Sequence, residues 1–237
     1  MIRVENYSLQ VGGFSLKDII LDIGSGEIFA ILGETGSGKT LLLESMAGFY
    51  EKFTGSITYK GRQIHKIPLE ERRMGFVYQD FGLFPHMKVR ANIEYGMRMR
   101  GKSRRECLER SNEMMELLGI AHLSKRYPGT LSGGEQQRTA LARALVTQPN
   151  VLFMDEPFSA LDPNTKKQMY ALMRKIHEIF GCTIIFVTHD FHEAELLADR
   201  TAVIIGGRVR RVCDSKSLFS GNEDQEVIDF LGEFVKN

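Results

Sequence analysis

The fold is decided by Ile28-Phe29-Ala30-Ile31-Leu32-Gly33-Glu34-Thr35-Gly36-Ser37-Gly38-Lys39-Thr40. Its five apolar residues read as a buried strand, the next eight fit G-x-x-x-x-G-K-[ST], and residues 40–46 continue as a helix. Strand, glycine loop and helix in that order make a phosphate cradle. The glycines let the chain curl so that successive N–H groups point inward, and the helix aims its positive end at the same charge. Lys39 then reaches the β- and γ-phosphates of a nucleotide, and Thr40 offers its hydroxyl to Mg²⁺. Gly33, Glu34, Thr35, Gly36, Ser37, Gly38, Lys39 and Thr40 are therefore the first candidate binding residues.

Further apolar runs at 151–154, 183–187 and 201–205 lack strict alternation, as strands covered on both faces do. They predict an α/β fold with a mainly parallel sheet. Before and after the loop, around 2–4, 14–23 and 55–59, shorter strands broken by Gly12-Gly13 and Gly24-Ser25-Gly26 predict an antiparallel β flank. From about Val89 to Tyr127, Met97, Met99, Leu108, Met114, Met115, Leu117 and Leu118 recur among charges at helical spacing, which predicts an inserted α-helical subdomain. Its basic run, Arg98, Arg100, Lys102, Arg104 and Arg105, reads as a solvated helix face rather than a lipid or nucleic acid contact. The acidic tail from Asn222, with Glu223, Asp224, Glu226, Asp229 and Glu233, carries Val227, Ile228, Leu231 and Phe234 at helical spacing and predicts a terminal helix docked by one face. The expected division is a nucleotide-binding core at 1–87 and 131–215, a helical subdomain at 88–130 and a C-terminal helix at 216–237.

A phosphate loop needs a partner to hold the metal and handle water. The run at 151–154 ends in Asp155-Glu156, where open α/β sheets place ligands. Asp155 suits Mg²⁺, and Glu156, pointing the other way along an extended chain, is placed to polarise water. His189 follows the run at 183–187 and reaches the same sheet edge if the strands are parallel, ready to hydrogen-bond a γ-phosphate. His189 and His192 form H-x-x-H, but no nearby cysteine or third histidine completes a zinc set.

Length and composition set the outer bounds. The 237 residues support one large domain or a core with one insertion, 43% hydrophobic and 26% charged residues are ordinary for a globular chain, and 31 basic against 30 acidic residues leave a net charge of +1. No global field draws such a chain onto nucleic acid or an anionic bilayer. Cys107, Cys182 and Cys213 form no C-x-x-C pair, which fits a reducing compartment, and the sequence holds neither a signal-peptide h-region nor a membrane-length apolar stretch.

The ordered set Gly33 to Thr40, Gln79 after Phe76-Val77-Tyr78, Leu131-Ser132-Gly133-Gly134-Glu135-Gln136-Gln137-Arg138, residues 151–157, Ser159-Ala160-Leu161-Asp162 and His189 resembles the motif set of an ATP-binding cassette (ABC) ATPase. The likeness runs from about Ile2 to Phe234. It implies a P-loop ATPase core that binds ATP with Mg²⁺ and hydrolyses it. Two copies are implied to pair head to tail, Ser132, Gly133 and Gly134 of one, with Gln136 in the same string, closing over ATP held by the loop of the other. In this picture Thr40, Gln79 and Asp155 hold the metal, Glu156 is the general base, His189 steadies the γ-phosphate and Asp162 ties the two sites together. The segment 80–93 resembles the part with which importer cassettes grip membrane permease subunits, Phe81, Leu83 and Phe84 supplying an apolar patch.

The runs around Gly13-Phe14-Ser15-Leu16-Lys17-Asp18 and 35–44 look most like cassettes of molybdate, tungstate or sulfate importers. The implied setting is the cytoplasmic face of the membrane, where a peripheral subunit works with a permease and indirectly with a substrate-binding protein, and with no nucleic acid. A cassette for another small solute is the nearest alternative. A soluble cassette acting on ribosomes usually carries two cassettes or long coiled-coil arms, and a small-molecule kinase would leave 131–138 unexplained. Two departures from the family pattern set expectations. Val11 or Gln10 stands where an aromatic residue usually stacks on adenine, which predicts weak binding and poor ATP/GTP discrimination; Tyr7 reads as strand core, and Phe14 is near. Many importer cassettes continue into a regulatory β-domain about where this chain ends at Asn237, so feedback through such a domain is not expected.

Overall fold

The computed structural model describes residues 1–220 and 224–235, with side chains to residue 232. In chain order its strands and helices are β1 (Ile2–Val11), β2 (Phe14–Ile23), β3 (Ile28–Leu32), α1 (Lys39–Ala47), β4 (Thr54–Tyr59), β5 (Arg62–Gln63), β6 (Met74–Val77), α2 (Val89–Met99), α3 (Arg104–Leu117), α4 (Gly133–Leu145), β7 (Val151–Asp155), α5 (Pro163–Phe180), β8 (Thr183–Thr188), α6 (Phe191–Leu197), β9 (Arg200–Ile205), β10 (Arg208–Asp214) and α7 (Gln225–Val235). Contacts divide them into two units, residues 1–72 with 182 onward, and residues 73–181. The α/β class expected from the sequence is what the chain forms.

The first unit holds an antiparallel sheet in the order β2-β1-β4-β5. Ile2 and Val4, then Tyr7 and Leu9, point inward along β1, so the buried set moves from even to odd positions. The change falls at Asn6, whose φ is 45°, where pairing with β2 shifts register between Val4 and Tyr7. A bulge of this kind inserts one residue and hides a strand from any search for period two. β10, β9, β3 and β8 lie side by side in that order, β3 running parallel to both β8 and β9. Every residue of β3 and β8 is buried, as their continuous apolar runs require.

Over this unit lies α7. Val227, Phe230 and Leu231 pack with Leu32, Val203 and Leu218, and burial of each apolar side chain contributes about 1.5–3 kcal/mol to docking the helix. Ile228 is 39% exposed, so the apolar face is narrower than the sequence spacing suggests. Asn222 and Glu223, and the side chains of Glu233 and Phe234, lie outside the described residues.

In the second unit β6 pairs parallel with the wholly buried β7. Residues 88–130 contain α2, α3 and two short helical turns with no strand. The basic run pairs along its own helices: Arg98 with Glu94, Lys102 with Glu106 at 2.9 Å and Arg105 with Glu109 at 2.7 Å, each at i,i+4. That is a solvated face laced by ion pairs. The apolar residues after Gln79 are covered to different degrees. Phe81 is buried, Leu83 and Phe84 are half-buried, and Phe84 packs on Tyr95 with ring centroids 4.7 Å apart. Asn92, fully buried, accepts from Phe84 N at 2.8 Å and donates to Phe84 O and Met87 O at 3.1 and 2.9 Å. From α4, Arg143 donates to Gly82 O at 2.6 Å and Phe81 O at 3.0 Å and lies 5.4 Å from the centre of the Phe84 ring.

Candidate nucleotide-binding site

In the first unit the glycine loop leaves β3 at Gly33, whose N–H donates to Thr188 O, the last residue of β8, at 3.4 Å. His189 is the next residue, exposed, so the loop and this histidine leave adjacent parallel strands at one sheet edge, as expected. A Cβ at Gly33 would stand 2.4 Å from Ile204 O, and one at Gly38, where φ is 99°, would stand 2.7 Å from the Phe14 ring. Only glycine fits the first closeness and the second backbone. α1 starts at Lys39 with Gly38, which has no side chain to offer its N–H groups, as its cap.

Lys39 is buried and folds its amine back over the loop, donating to Gly33 O at 2.9 Å and Glu34 O at 2.8 Å. The Ser37 hydroxyl is buried with no hydrogen-bond partner among the described residues. A buried orphan hydroxyl costs about 1–3 kcal/mol, and beside a helix N-terminus and an ammonium it suits an acceptor-rich anion such as phosphate. Glu34 to Ser37 also line a cavity of about 440 Å³ with Ile204, Gly206, Glu226 and Phe230.

Phe14 is half-buried, its ring against Gly38 and Gly207. Tyr7 is 1% exposed and pairs with Phe53, while Val11 is 42% exposed. The buried Tyr7 ring has no face to offer a base.

In the second unit β6 and β7 are in register at Val77 and Met154, so Gln79 and Glu156 each stand two residues beyond a paired position, Glu156 being the first residue after β7. Asp155 closes β7 and is buried. Glu156 differs from expectation. Its φ is 40°, so the extended chain ends at Asp155 and the alternation argument for opposed carboxylates does not apply. A tight turn sets Glu156 instead, its carbonyl accepting from Ser159 N at 3.2 Å and Ser159 Oγ at 3.0 Å.

Ser132 caps α4 in a reciprocal capping box. Its hydroxyl accepts from Glu135 N at 3.4 Å, and Ser132 N donates to Glu135 Oε2 at 2.7 Å. That backbone bond, with help from the Ser132 hydroxyl, holds the Glu135 carboxyl below the usual range. The helix thus starts at Gly133. Asp162 caps α5, accepting from Asn164 N and Thr165 N at 3.1 Å each. Both caps line one hollow of about 290 Å³ with Gly133, Gly134 and Thr165. Gln136 donates to Pro128 O and Leu131 O at 3.2 Å each, bracing the turn before the helix.

Sequence reasoning passed over Gln137, Arg143 and Thr165. Gln137 is fully buried and its amide donates to Pro157 O, tying α4 to the turn after Glu156. Its place in the Leu131–Arg138 string was the available signal.

The pattern of the ABC transporter family matches residues 16–159. A molybdate/tungstate import ATP-binding protein of Pyrococcus horikoshii is 45% identical over 232 residues, covering 98% of this chain and 67% of its own length. A sulfate/thiosulfate import ATP-binding protein of Bacillus cereus is 42% identical over 236 residues, covering 98% of this chain and 66% of its own length. Among solved structures, CbiO1 of Clostridium perfringens, part of an ABC transporter complex, superposes with a TM-score of 0.84 at 29% identity, covering 100% of this chain and 98% of that one. A dimeric ATP-binding cassette in a post-hydrolysis state with ADP and Pi gives 0.81 at 29% identity, covering 91% and 99%. With a glycine loop leaving a parallel strand and a family pattern matched over residues 16–159, the chain belongs to the ABC transporter family as an ATP-binding, ATP-hydrolysing cassette.

Proposed function

We propose that this cassette is the motor of an importer for an inorganic oxyanion of the molybdate, tungstate or sulfate kind, pairing head to tail around two Mg-ATP beside separate permease subunits. One observation carries the pairing. The chain has two phosphate-suited helix starts, the loop Gly33–Thr40 and the open hollow of Ser132, Gly133 and Gly134, and a triphosphate seated in one loop leaves its γ end for a second copy's cap. The oxyanion cargo is supported by the named imports of the relatives just described.

In this reading Lys39 neutralises the terminal phosphates, and Gly33 to Thr40 hold the chain of phosphates by backbone N–H groups. The oxygens of Thr40, Asp155 and Gln79 suit a hard cation. Mg²⁺, when bound, neutralises charge on the β- and γ-phosphates. Glu156 takes the proton of the attacking water, His189 steadies the γ-phosphate, and Asp162 with Gln136 supports the cap. The proposed division is a nucleotide-binding core at 1–87 and 131–215, a helical subdomain at 88–130 and a C-terminal segment at 216–237 that carries α7. No described helix is long and apolar enough to cross a membrane. By likeness to the import ATP-binding relatives, the cassette works as a peripheral subunit at the cytoplasmic face, and a substrate-binding protein delivers cargo to the permease.

Tagged protein purified from detergent-solubilised membranes is expected to retain a polytopic membrane chain, with ATPase activity stimulated in the complex. Recovery with ribosomal proteins instead would overturn the transport reading.

The adenine side yields a separate expectation. With Val11 where a ring would stack, ATP and GTP bind with similar affinity. Val11→Tyr tightens ATP about tenfold, since stacking is worth roughly 1–3 kcal/mol per base. Nucleotide titration checks both, and strong ATP preference in the unaltered chain, or no gain in the variant, contradicts them.

A further inference from the structure

α4 and α5 begin side by side. A Cβ on Gly134, second residue of α4, would stand 2.9 Å from Cγ2 of Thr165, third residue of α5. One turn further along, Arg138 Nη2 donates to Gln168 Oε1 at 2.9 Å, so the two helix starts are joined by two successive rungs. The other branch of Thr165 faces the other way. Its Oγ1 donates to Asp162 Oδ2 at 2.5 Å, while its backbone N–H donates to Oδ1 of the same carboxylate. These bonds, the side-chain one foremost, keep the Asp162 carboxyl below its usual range.

A threonine carries methyl and hydroxyl on one Cβ, so a single χ1 places both. With the methyl against Gly134, the hydroxyl can only lie where Asp162 receives it. Serine lacks the methyl and valine lacks the hydroxyl; threonine alone links the two neighbours through one torsion.

We propose that Thr165 is a positioning residue for ATP hydrolysis, holding the Ser132–Gly134 helix start and the Asp162 turn in one fixed relation through its single χ1. It acts through those groups and touches no nucleotide. The proposal rests on the reading that Ser132 to Gly134 cap the ATP of a second copy.

The test uses Glu156→Gln as parent, with ATP-driven dimerisation followed by light scattering and far-UV circular dichroism checking that each variant folds. Gly134→Ala pushes Cβ into the methyl, and the ATP concentration for half-dimerisation is expected to rise about tenfold, the effect of roughly 1.4 kcal/mol of overpacking. Adding Thr165→Ser removes that methyl and keeps the hydroxyl, and is expected to restore dimerisation; adding Thr165→Val is not. With Glu156 intact, Thr165→Val alone keeps the methyl and loses the Asp162 bond, so kcat falls severalfold while KM for ATP stays nearly constant. If Thr165→Ser leaves Gly134→Ala as defective as before, or Thr165→Val has the kcat of the unaltered chain, the positioning role is overturned and the ATP-sandwich reading stands. A folded parent that stays monomeric with ATP overturns that reading, and the role of Thr165 with it.

Discussion

Glu156→Gln binds ATP as the unaltered chain does and turns it over at least about a hundredfold more slowly, the usual scale for loss of a positioned general base. The amide matches the carboxylate in shape and accepts hydrogen bonds, but at neutral pH it takes no proton from water. The backbone that aims this side chain is a turn at φ 40°, closed by Ser159 on the Glu156 carbonyl. None of these backbone bonds involves the carboxylate, so the exchange leaves the turn in place. ATP binding falls to the loop Gly33–Thr40, built from other residues. Steady-state phosphate release with a parallel nucleotide titration measures both quantities. Hydrolysis at the parent rate would remove Glu156 from its role.

Ser132→Arg is expected to bind nucleotide yet fail to dimerise, with turnover reduced about as much. The substitution removes the hydroxyl that caps α4, costing about 1 kcal/mol of helix stability. The larger effect is steric and electrostatic. An arginine fills the hollow of about 290 Å³ that Ser132 shares with Gly133, Gly134 and Asp162, the space a second copy's γ-phosphate must enter. Nucleotide affinity of the monomer is retained because Lys39 and the loop N–H groups are unchanged. Gel filtration with ATP in the Glu156→Gln background checks it, and a dimer of normal affinity would undercut the shared site.

Much of this arrangement is legible in the residues themselves. β3, β7 and β8 are buried on every residue, so their sequences are plain apolar runs, and the glycine loop is spelled out because each letter answers a backbone or phosphate demand. β1 was only partly visible, since the bulge at Asn6 moves its buried set by one position. β10, Arg208-Val209-Arg210-Arg211-Val212-Cys213-Asp214, is an edge strand among the described residues, paired with β9 and half exposed, so it carries charge where a strand search wants apolar residues. The turn at Glu156 was misjudged because a left-handed φ on a glutamate leaves no trace in residue type. The buried Phe81 and the Arg143 clamp were missed for a related reason. Their partners are backbone carbonyls of Phe81 and Gly82, about 60 residues from Arg143, and carbonyls are the same in every residue.

The mass of the Glu156→Gln protein in solution, measured by light scattering with MgATP and then with ADP, bears most directly on the shared-nucleotide scheme. The expected result is a species of twice the 26.9 kDa chain with ATP and of single mass with ADP. A single-mass species at saturating ATP, at every protein concentration tried and also with the permease present, would contradict it.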